Sequence, residues 1–468
     1  MTVVAVVISL VLLIYLGYKG WSVVLLAPLL ALLAAGLTAL ATQTPFHAFA
    51  TYTETYMSNL GGYVRNYFPF FLFGAIFGRI MDLTGSAKAI ADFITKHLGH
   101  GKEVLAVVLS CAVITYGGVS LFVAAFAIYP IGAVLFRNAN IPKRFLPACI
   151  ALGAFTFTMT AIPGSPQIQN TIPMRYLGTN AFAAPVLGVI ATIIMLVGGL
   201  FWITRRVRNA VAKGEGYGDH PNEKLAKIDD SNLPNAWSAF LPIIVVIVIN
   251  FILARFVFVG NAQYAYLEAA PYNTRLSAVA GSWSLIAALL IGIALCIILN
   301  WQRIKQQGGI VETLKDGVSG SFLAVMNTAS EVGYGNVIKT LAGFTVIAGG
   351  MMALSGGNPL VGGTISASVL AGITGSASGG LSIALSTFAD TFMQQAASMG
   401  ISPEVLHRVT AVACGGLDTL PHNGAVITLL AVTGMTHKES YFDIGMNTVV
   451  IPLLSSVVII ILGTLGVC

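Results

Sequence analysis

The sequence predicts an all-α polytopic membrane protein built from two inverted repeats. Each repeat is expected to hold five membrane crossings, one re-entrant helical hairpin and one broken helix. Three observations predict this. Of 468 residues, 56% are hydrophobic and 9% are charged, against roughly 25% charged in a soluble domain. Apolar runs recur along the whole chain, and about 20 such residues suffice to span a bilayer as a helix. One unusual pattern also occurs twice: a Gly-Gly turn inside an apolar run, a proline-marked loop, then a second apolar run interrupted by Pro and polar residues. Such matched interruptions in a membrane chain are the mark of an internal repeat whose broken segments meet at a binding site.

The first repeat is read as residues 1–203. Its opening run, Val3 to Tyr15, lacks a basic leader and a cleavage site and is taken as a retained span. A second span follows from Trp21 to about Ala41, then a polar segment from Thr42 to Asn66, then a span at Tyr67 to Met81. Ile90, Phe93, Ile94 and Leu98 recur at helical spacing opposite Lys88, Asp92 and Lys96, so Ser86 to Leu98 is expected to lie along the interface as an amphipathic helix. The hairpin spans 104–137. Its leading arm, Val104 to Tyr116, is short for a crossing, and its Gly117-Gly118 turn has no polar loop. The broken helix covers 145–176, because two prolines and a glycine within Ala161 to Pro166 cannot keep helical hydrogen bonds. A sixth segment, Ala183 to Ile203, ends at Arg205 and Arg206.

Residues 204–236 form the long charged loop and are read as a cytoplasmic linker. The second repeat is 237–468, with spans at Ala239 to Phe258 and Ser282 to Asn300, a span at Val318 to Val332, an amphipathic arm at Asn336 to Ala348, a hairpin at 360–397 and a broken helix at 403–435. A last span runs from Tyr441 to Val467. With an odd number of crossings per repeat, the Lys- and Arg-bearing loops all fall on one side, the expected cytoplasmic face, and both termini fall outside. The net charge of +6 is therefore an orientation signal, with no nucleic-acid partner implied. The five cysteines are scattered without metal-ligand spacing, so neither disulfides nor a metal site is expected.

Candidate site residues fall in two groups of matched position. The hairpin tips hold Thr115, Tyr116, Gly117, Gly118 and Ser120 in one copy, and Ser376, Ser378, Gly379, Gly380 and Ser382 in the other. Glycine lets a ligand reach backbone N–H groups, and a helix starting just past the tip aims its positive end at an anion; the same residues would also suit tight hairpin packing. The breaks hold Pro163, Gly164, Ser165 and Gln167, and Thr419, His422, Asn423 and Gly424. Unwound backbone at membrane depth is tolerated where it is buried in protein or lines a cavity. Ionisable groups inside a span are functional candidates, so Asp418 and His422, with Glu331, are expected to carry a coupling proton. Asp82 sits one turn from Arg79, which suggests an ion pair instead. No Walker loop, HExxH or nucleotide fingerprint is present, so the chain does not read as an enzyme and needs no organic cofactor, and any transport must draw on a gradient.

At this point the chain resembles the gluconate permease (GntP-type) family of the ion transporter superfamily, over essentially its full length. The residues that carry the resemblance are Gly117-Gly118, Asn140-Ile-Pro142, Ile162-Pro-Gly-Ser-Pro166, Gly400-Ile-Ser-Pro-Glu404 and the Asp418 to Gly424 segment. The resemblance implies proton-coupled uptake of small hydroxy-carboxylates, inverted repeats with re-entrant hairpins, a homodimer, an elevator-type movement, and a bacterial inner-membrane location. The gluconate branch has Pro-Pro-His-Pro-Gly-Pro where this chain has Ala161-Ile-Pro-Gly-Ser-Pro166, and a Glu in the first tip where this chain has Gly117 or Gly118. Those departures resemble the D-β-hydroxybutyrate permease-like branch and imply a short hydroxy- or keto-monocarboxylate imported by proton symport. A gluconate or sugar-acid symporter, a sodium-coupled carboxylate transporter and an uncoupled facilitator remain the alternatives.

Overall fold

The computed structural model describes residues 1–19, 21–98, 101–220, 233–260, 262–421 and 423–468. Among them the chain is helical throughout, with no strand. The helices are α1 (Thr2–Tyr18), α2 (Val23–Thr42), the short α3 (Ala48–Ala50) leading through a π-helical turn into α4 (Ser58–Leu83), α5 (Ser86–Leu98), α6 (Glu103–Tyr116), α7 (Leu121–Asn138), α8 (Leu146–Ala154), α9 (Phe157–Thr160), α10 (Ile168–Leu177) and α11 (Pro185–Ala212). Beyond the charged loop come α12 (Ala236–Ile252), α13 (Leu276–Leu299), α14 (Trp301–Gln306), α15 (Gly309–Lys339), α16 (Ala342–Leu354), α17 (Pro359–Thr374), α18 (Ala377–Ser398), α19 (Pro403–Leu417), α20 (Gly424–Thr433), α21 (His437–Gly445) and α22 (Ile451–Thr464).

Five helices among the described residues are long and apolar enough to cross a bilayer, or seven when two bent pairs are each taken as one span. The bends fall where the sequence turns amphipathic. α5 leaves α4 at 64°, and α16 leaves α15 at 94°. The Ser86–Leu98 arm has its expected bounds. Its counterpart does not: α15 runs on through Asn336 to Lys339, and the arm begins only at Ala342. The Thr42 to Asn66 segment, read as polar and non-spanning, is helical from Ala48 onward and continues into α4. Tyr56, Tyr63 and Tyr67 bury that side of it. α11 carries the arginine cluster as its last turns and ends at Ala212, so its helix reaches well into the expected linker.

α4 and α15 form an antiparallel pair at the centre of one layer. Arg79 near the end of α4 binds Asp316 near the start of α15 at 2.8 Å, while Gly333 near the other end of α15 lies against Tyr56. Arg79 also reaches Asp82, at 3.6 Å. α2 and α13 flank this pair, and α1 packs on α2 and α16. In the other layer α6 and α7 meet at a tight turn, as do α17 and α18, and each of these hairpins packs on the interrupted helix that follows it. The two interrupted helices cross-pack: α10 lies on α18 and α19, and α20 on α7 and α8.

Candidate functional site

Both hairpin turns close on a glycine with a left-handed backbone, where a side chain would be strained. In the first it is Gly118, at φ 97°. In the second it is Gly375, at φ 65°, and not the Gly379-Gly380 pair that the sequence pattern matched to it. Gly379 and Gly380 lie in the first turn of α18, and their lack of a side chain serves approach. A Cβ on Gly380 would collide with the backbone of Ala371 in α17, and one on Gly379 with the carboxyl of Glu331. Ser120 precedes α7, and Ser376 caps α18 by accepting from Gly379 N at 3.2 Å.

Each break is fastened to its own hairpin by one amide side chain. Gln167, just before α10, donates to Thr115 O at 2.7 Å and Val119 O at 3.2 Å. Asn423, the N-cap of α20, donates to Gly375 O at 2.7 Å and accepts from Ala425 N and Val426 N. The carbonyls freed by the breaks also find partners. Tyr116 donates to Pro163 O, Ser165 to Thr158 O, Asn170 to Ser165 O, and Tyr441 to Thr419 O. Unwound backbone stays buried without cost only when so satisfied.

The turns and breaks converge on a cavity of about 420 Å³. Gly118, Ser120, Gln167, Ser376, Ser378, Asp418, Asn423, Gly424 and Glu331 from the expected set line it. Ten others do not. Thr115, Gly379, Gly380 and Ser382 sit behind the tips, and Thr419 is bonded to Thr448 at 2.8 Å. Tyr116, Gly117, Pro163, Gly164 and Ser165 likewise fall outside the lining and shape the turn and break from behind. His422 lies outside the described residues. The starts of four helices, α7, α10, α18 and α20, face this space, and no Lys or Arg among the described residues does. Among the described residues two carboxyls line it, and each has a buried oxygen with no hydrogen-bond partner: Glu331 Oε2 and Asp418 Oδ1.

Sequence reasoning missed part of this wall. Ser321, Asn327 and Thr328 join Glu331 on one face of α15. Their helical spacing was the available signal, since Thr328 and Glu331 are three residues apart and Ser321 lies seven residues, two turns, before Thr328. It also missed a fully buried pair on α19. Arg408 donates to the carbonyls of Thr160, Ala181 and Ala183 and to Asn170 Oδ1, and His407 sits between Thr179 and Asn170. This cluster ties α19 to the first interrupted helix. No group of three or more His, Cys, Asp or Glu among the described residues could hold a metal ion.

On the face that carries the Arg-rich end of α11, Arg144 binds Glu215 at 2.6 and 2.9 Å and holds its carboxyl below the usual carboxylate range. Arg206 and Trp202 bind the buried Asp443 beside it, each at 3.0 Å.

The fold and cavity thus define a polytopic helical membrane protein with paired helix interruptions around a cavity of mixed polar and apolar lining. The chain belongs to the GntP permease family, whose profile matches residues 1–465. It is 42% identical to an uncharacterised transporter, YxjC, of Bacillus subtilis (strain 168), over 96% of each chain. Its fold is similar to that of the Alcanivorax borkumensis YdaH transporter, a structure described as having an unusual topology (TM-score 0.57, 15% identity, 95% and 98% of the two chains covered). It is also similar to that of Neisseria gonorrhoeae MtrF, described as illuminating a class of antimetabolite efflux pumps (TM-score 0.53, 14% identity, 90% and 84% covered). The protein is therefore a GntP-family membrane transporter.

Proposed function

We propose that this permease imports a short hydroxy-monocarboxylate of the D-3-hydroxybutyrate type by proton symport. The observation that carries the reading is the charge pattern of the cavity. Four helix starts supply partial positive charge, which favours a carboxylate. Among the described residues the side chains supply two carboxyls and no Lys or Arg. An anion entering beside two ionised carboxylates in a low-dielectric site would be repelled by several kcal/mol, so at least one carboxyl takes up a proton when the substrate binds. That requirement is itself a coupling mechanism.

In this reading Ser120, Ser376, Ser378 and Asn423 bind the carboxylate and hydroxyl, with Gly118, Gln167 and Gly424 completing the walls. Thr115, Tyr116, Gly117, Pro163, Gly164, Ser165, Gly379, Gly380, Ser382 and Thr419 would then act by holding turns and breaks in place. Asp418 and Glu331 are the proton carriers, and His422 belongs with them. Phe70, Phe71, Met159 and Leu289 line the rest of the cavity and suit a short alkyl chain better than a polyhydroxylated one, because a sugar acid would bury hydroxyls without partners. In this reading the hairpins and interrupted helices slide as one body, elevator-fashion, past α4 and α15. The inverted repeats are re-entrant at their hairpins, the protein works as a homodimer in a bacterial inner membrane, and both termini lie outside.

The test is uptake of labelled D-3-hydroxybutyrate into proteoliposomes with an imposed pH gradient. Accumulation above the external concentration, abolished by a protonophore, is expected. Accumulation that follows only a sodium gradient, or equilibration without accumulation, would overturn proton symport.

A further inference from the structure

The two carboxyls of the cavity differ in what they touch. Asp418 belongs to a break, at the end of α19. Glu331 does not belong to any hairpin or break. It stands on α15, in the last third of that helix, and reaches across to the first turn of α18. Its carboxyl lies against the Cα of Gly379, beside the Ser376 hydroxyl, where any side chain at 379 would displace it. Close packing continues one turn on, where Gly335 of α15 lies against Ile383 of α18. Glu331 Oε2 is buried and has no hydrogen-bond partner. A buried carboxylate placed at a helix start is stabilised by the orphan N–H groups and partial positive charge there, and that same helix start is the place an incoming carboxylate would occupy.

We propose that ionised Glu331 acts as an internal stand-in for the substrate: its carboxylate occupies the positive end of α18 while the site is empty, and a substrate carboxylate takes that place only when Glu331 is protonated. This inference rests on the anion-transport reading given above and sharpens it, by naming the residue at which proton and substrate compete. The balance is simple. One proton joins the Glu331 carboxylate as one substrate carboxylate arrives, so the charge at the start of α18 is the same before and after. When the site opens to the other side and the substrate leaves, the proton leaves to water and the Glu331 carboxylate returns to the helix end.

The surroundings of Glu331 fit this role. From the π-helical turn and α4 it is faced by Tyr56 and Tyr63. From the start of α18 it is faced by the hydroxyls of Ser376 and Ser378, and it shares the cavity with Asp418. None of these groups is a cation, so none locks Glu331 in its ionised form as a salt bridge would. Ser321, Asn327 and Thr328 continue the same face of α15 along the cavity wall, so the carboxyl has polar neighbours on its own helix.

The experiment is a titration of purified protein with D-3-hydroxybutyrate by calorimetry from pH 5 to pH 9, paired with pH-gradient uptake in proteoliposomes. Wild-type protein should lose affinity about tenfold per pH unit above the titration of Glu331, as linkage to one proton requires. Glu331→Gln should bind at every pH with the affinity that wild type shows at low pH, and should lose uphill accumulation. A Glu331→Gln protein that keeps the wild-type pH slope overturns the proposal, and so does one that still accumulates substrate uphill. If Glu331→Gln does not assemble, Gly379→Ala gives the same reading, because its methyl group pushes the carboxyl off the helix end: the pH slope should flatten, and an unchanged slope overturns the proposal. Wild-type protein that neither binds nor transports any C3 to C6 hydroxy-acid would instead overturn the transport reading, a result distinguishable from failure of the Glu331 assignment alone.

Discussion

The two hairpins are built to one plan and seated differently. Each closes on a left-handed glycine, Gly118 or Gly375, and each is pinned by an amide from the interrupted helix beside it, Gln167 or Asn423. The first hairpin rests on apolar and small neighbours. Gly117 faces Ile243 of α12, Gly74 of α4 lies against Gly118 O, and Gly78 against Val119. The second rests on Glu331. An apolar seat has no charge state to change, whereas a carboxyl does. The pair therefore separates two jobs that the matched sequence pattern alone would have assigned to both tips: one tip provides a passive bearing, and the other can respond to a proton.

The largest expected effect lies behind the tips, in the cluster that joins α19 to the first interrupted helix. Arg408→Ala removes the side-chain donor to the buried carbonyls of Thr160 and Ala183 and one of the partners of Ala181 O and Asn170 Oδ1, and should destabilise the protein by about 4 kcal/mol, the range for breaking a buried charged network. Thermal unfolding in detergent measures it. A loss under 1 kcal/mol would mean that the cluster does not hold the halves together. Next comes Gly380→Ala, whose methyl group meets backbone atoms of α17 that cannot move aside. Overpacking of this kind costs about 3 kcal/mol, and the same scan reads it.

The two amide clamps give a sharper comparison at smaller size. Gln167→Ala removes donors to two carbonyls, whereas Asn423→Ala removes one such donor and the cap of α20 as well. Each lost clamp should cost about 1 to 3 kcal/mol, with the cap adding about 1 kcal/mol at position 423. Asn423→Asp separates the terms: it keeps the cap acceptor and loses the donor to Gly375, so its stability should fall between wild type and Asn423→Ala. Equal losses in all three variants would contradict the shared plan.

The smallest effect is expected far from the cavity. Arg144 lowers the pKa of Glu215 in the folded protein, so the pair contributes above the ordinary carboxylate range and its contribution fades as pH falls through the lowered value. Both side chains are partly exposed, so Glu215→Gln should cost under about 1 kcal/mol at pH 7, and the cost should shrink as pH falls through the lowered value.

Much of this was legible in the sequence, and the reasons it was legible are local. The α5 arm announced itself by amphipathic spacing, and the interruption between Thr160 and Ile168 by two prolines and a glycine that no continuous helix accommodates. What was not legible depends on contacts between distant residues. The eye pairs Gly117-Gly118 with Gly379-Gly380 because the dipeptides match, yet the conformation that closes the second turn sits at Gly375, four residues earlier. Gly379 and Gly380 are small for the sake of Glu331 and Ala371. Arg408 and His407 were passed over because their partners lie more than 200 residues away. An ionisable pair inside an expected membrane helix was still a signal by itself. The segment from Ala48 to Met57 was legible only as polar, because of its threonines and tyrosines, and it is helical with Tyr56 buried against the end of α15.

One measurement reaches the central claim directly, that the tips of both hairpins enclose the substrate. Four native cysteines are buried and Cys468 is exposed, so a Cys468→Ser background gives little labelling of its own. Ser120→Cys and Ser376→Cys in that background place one thiol at each tip, and a small charged methanethiosulfonate reports access to it. With saturating D-3-hydroxybutyrate, labelling should slow at both positions. Labelling at either tip that is indifferent to substrate would contradict the account.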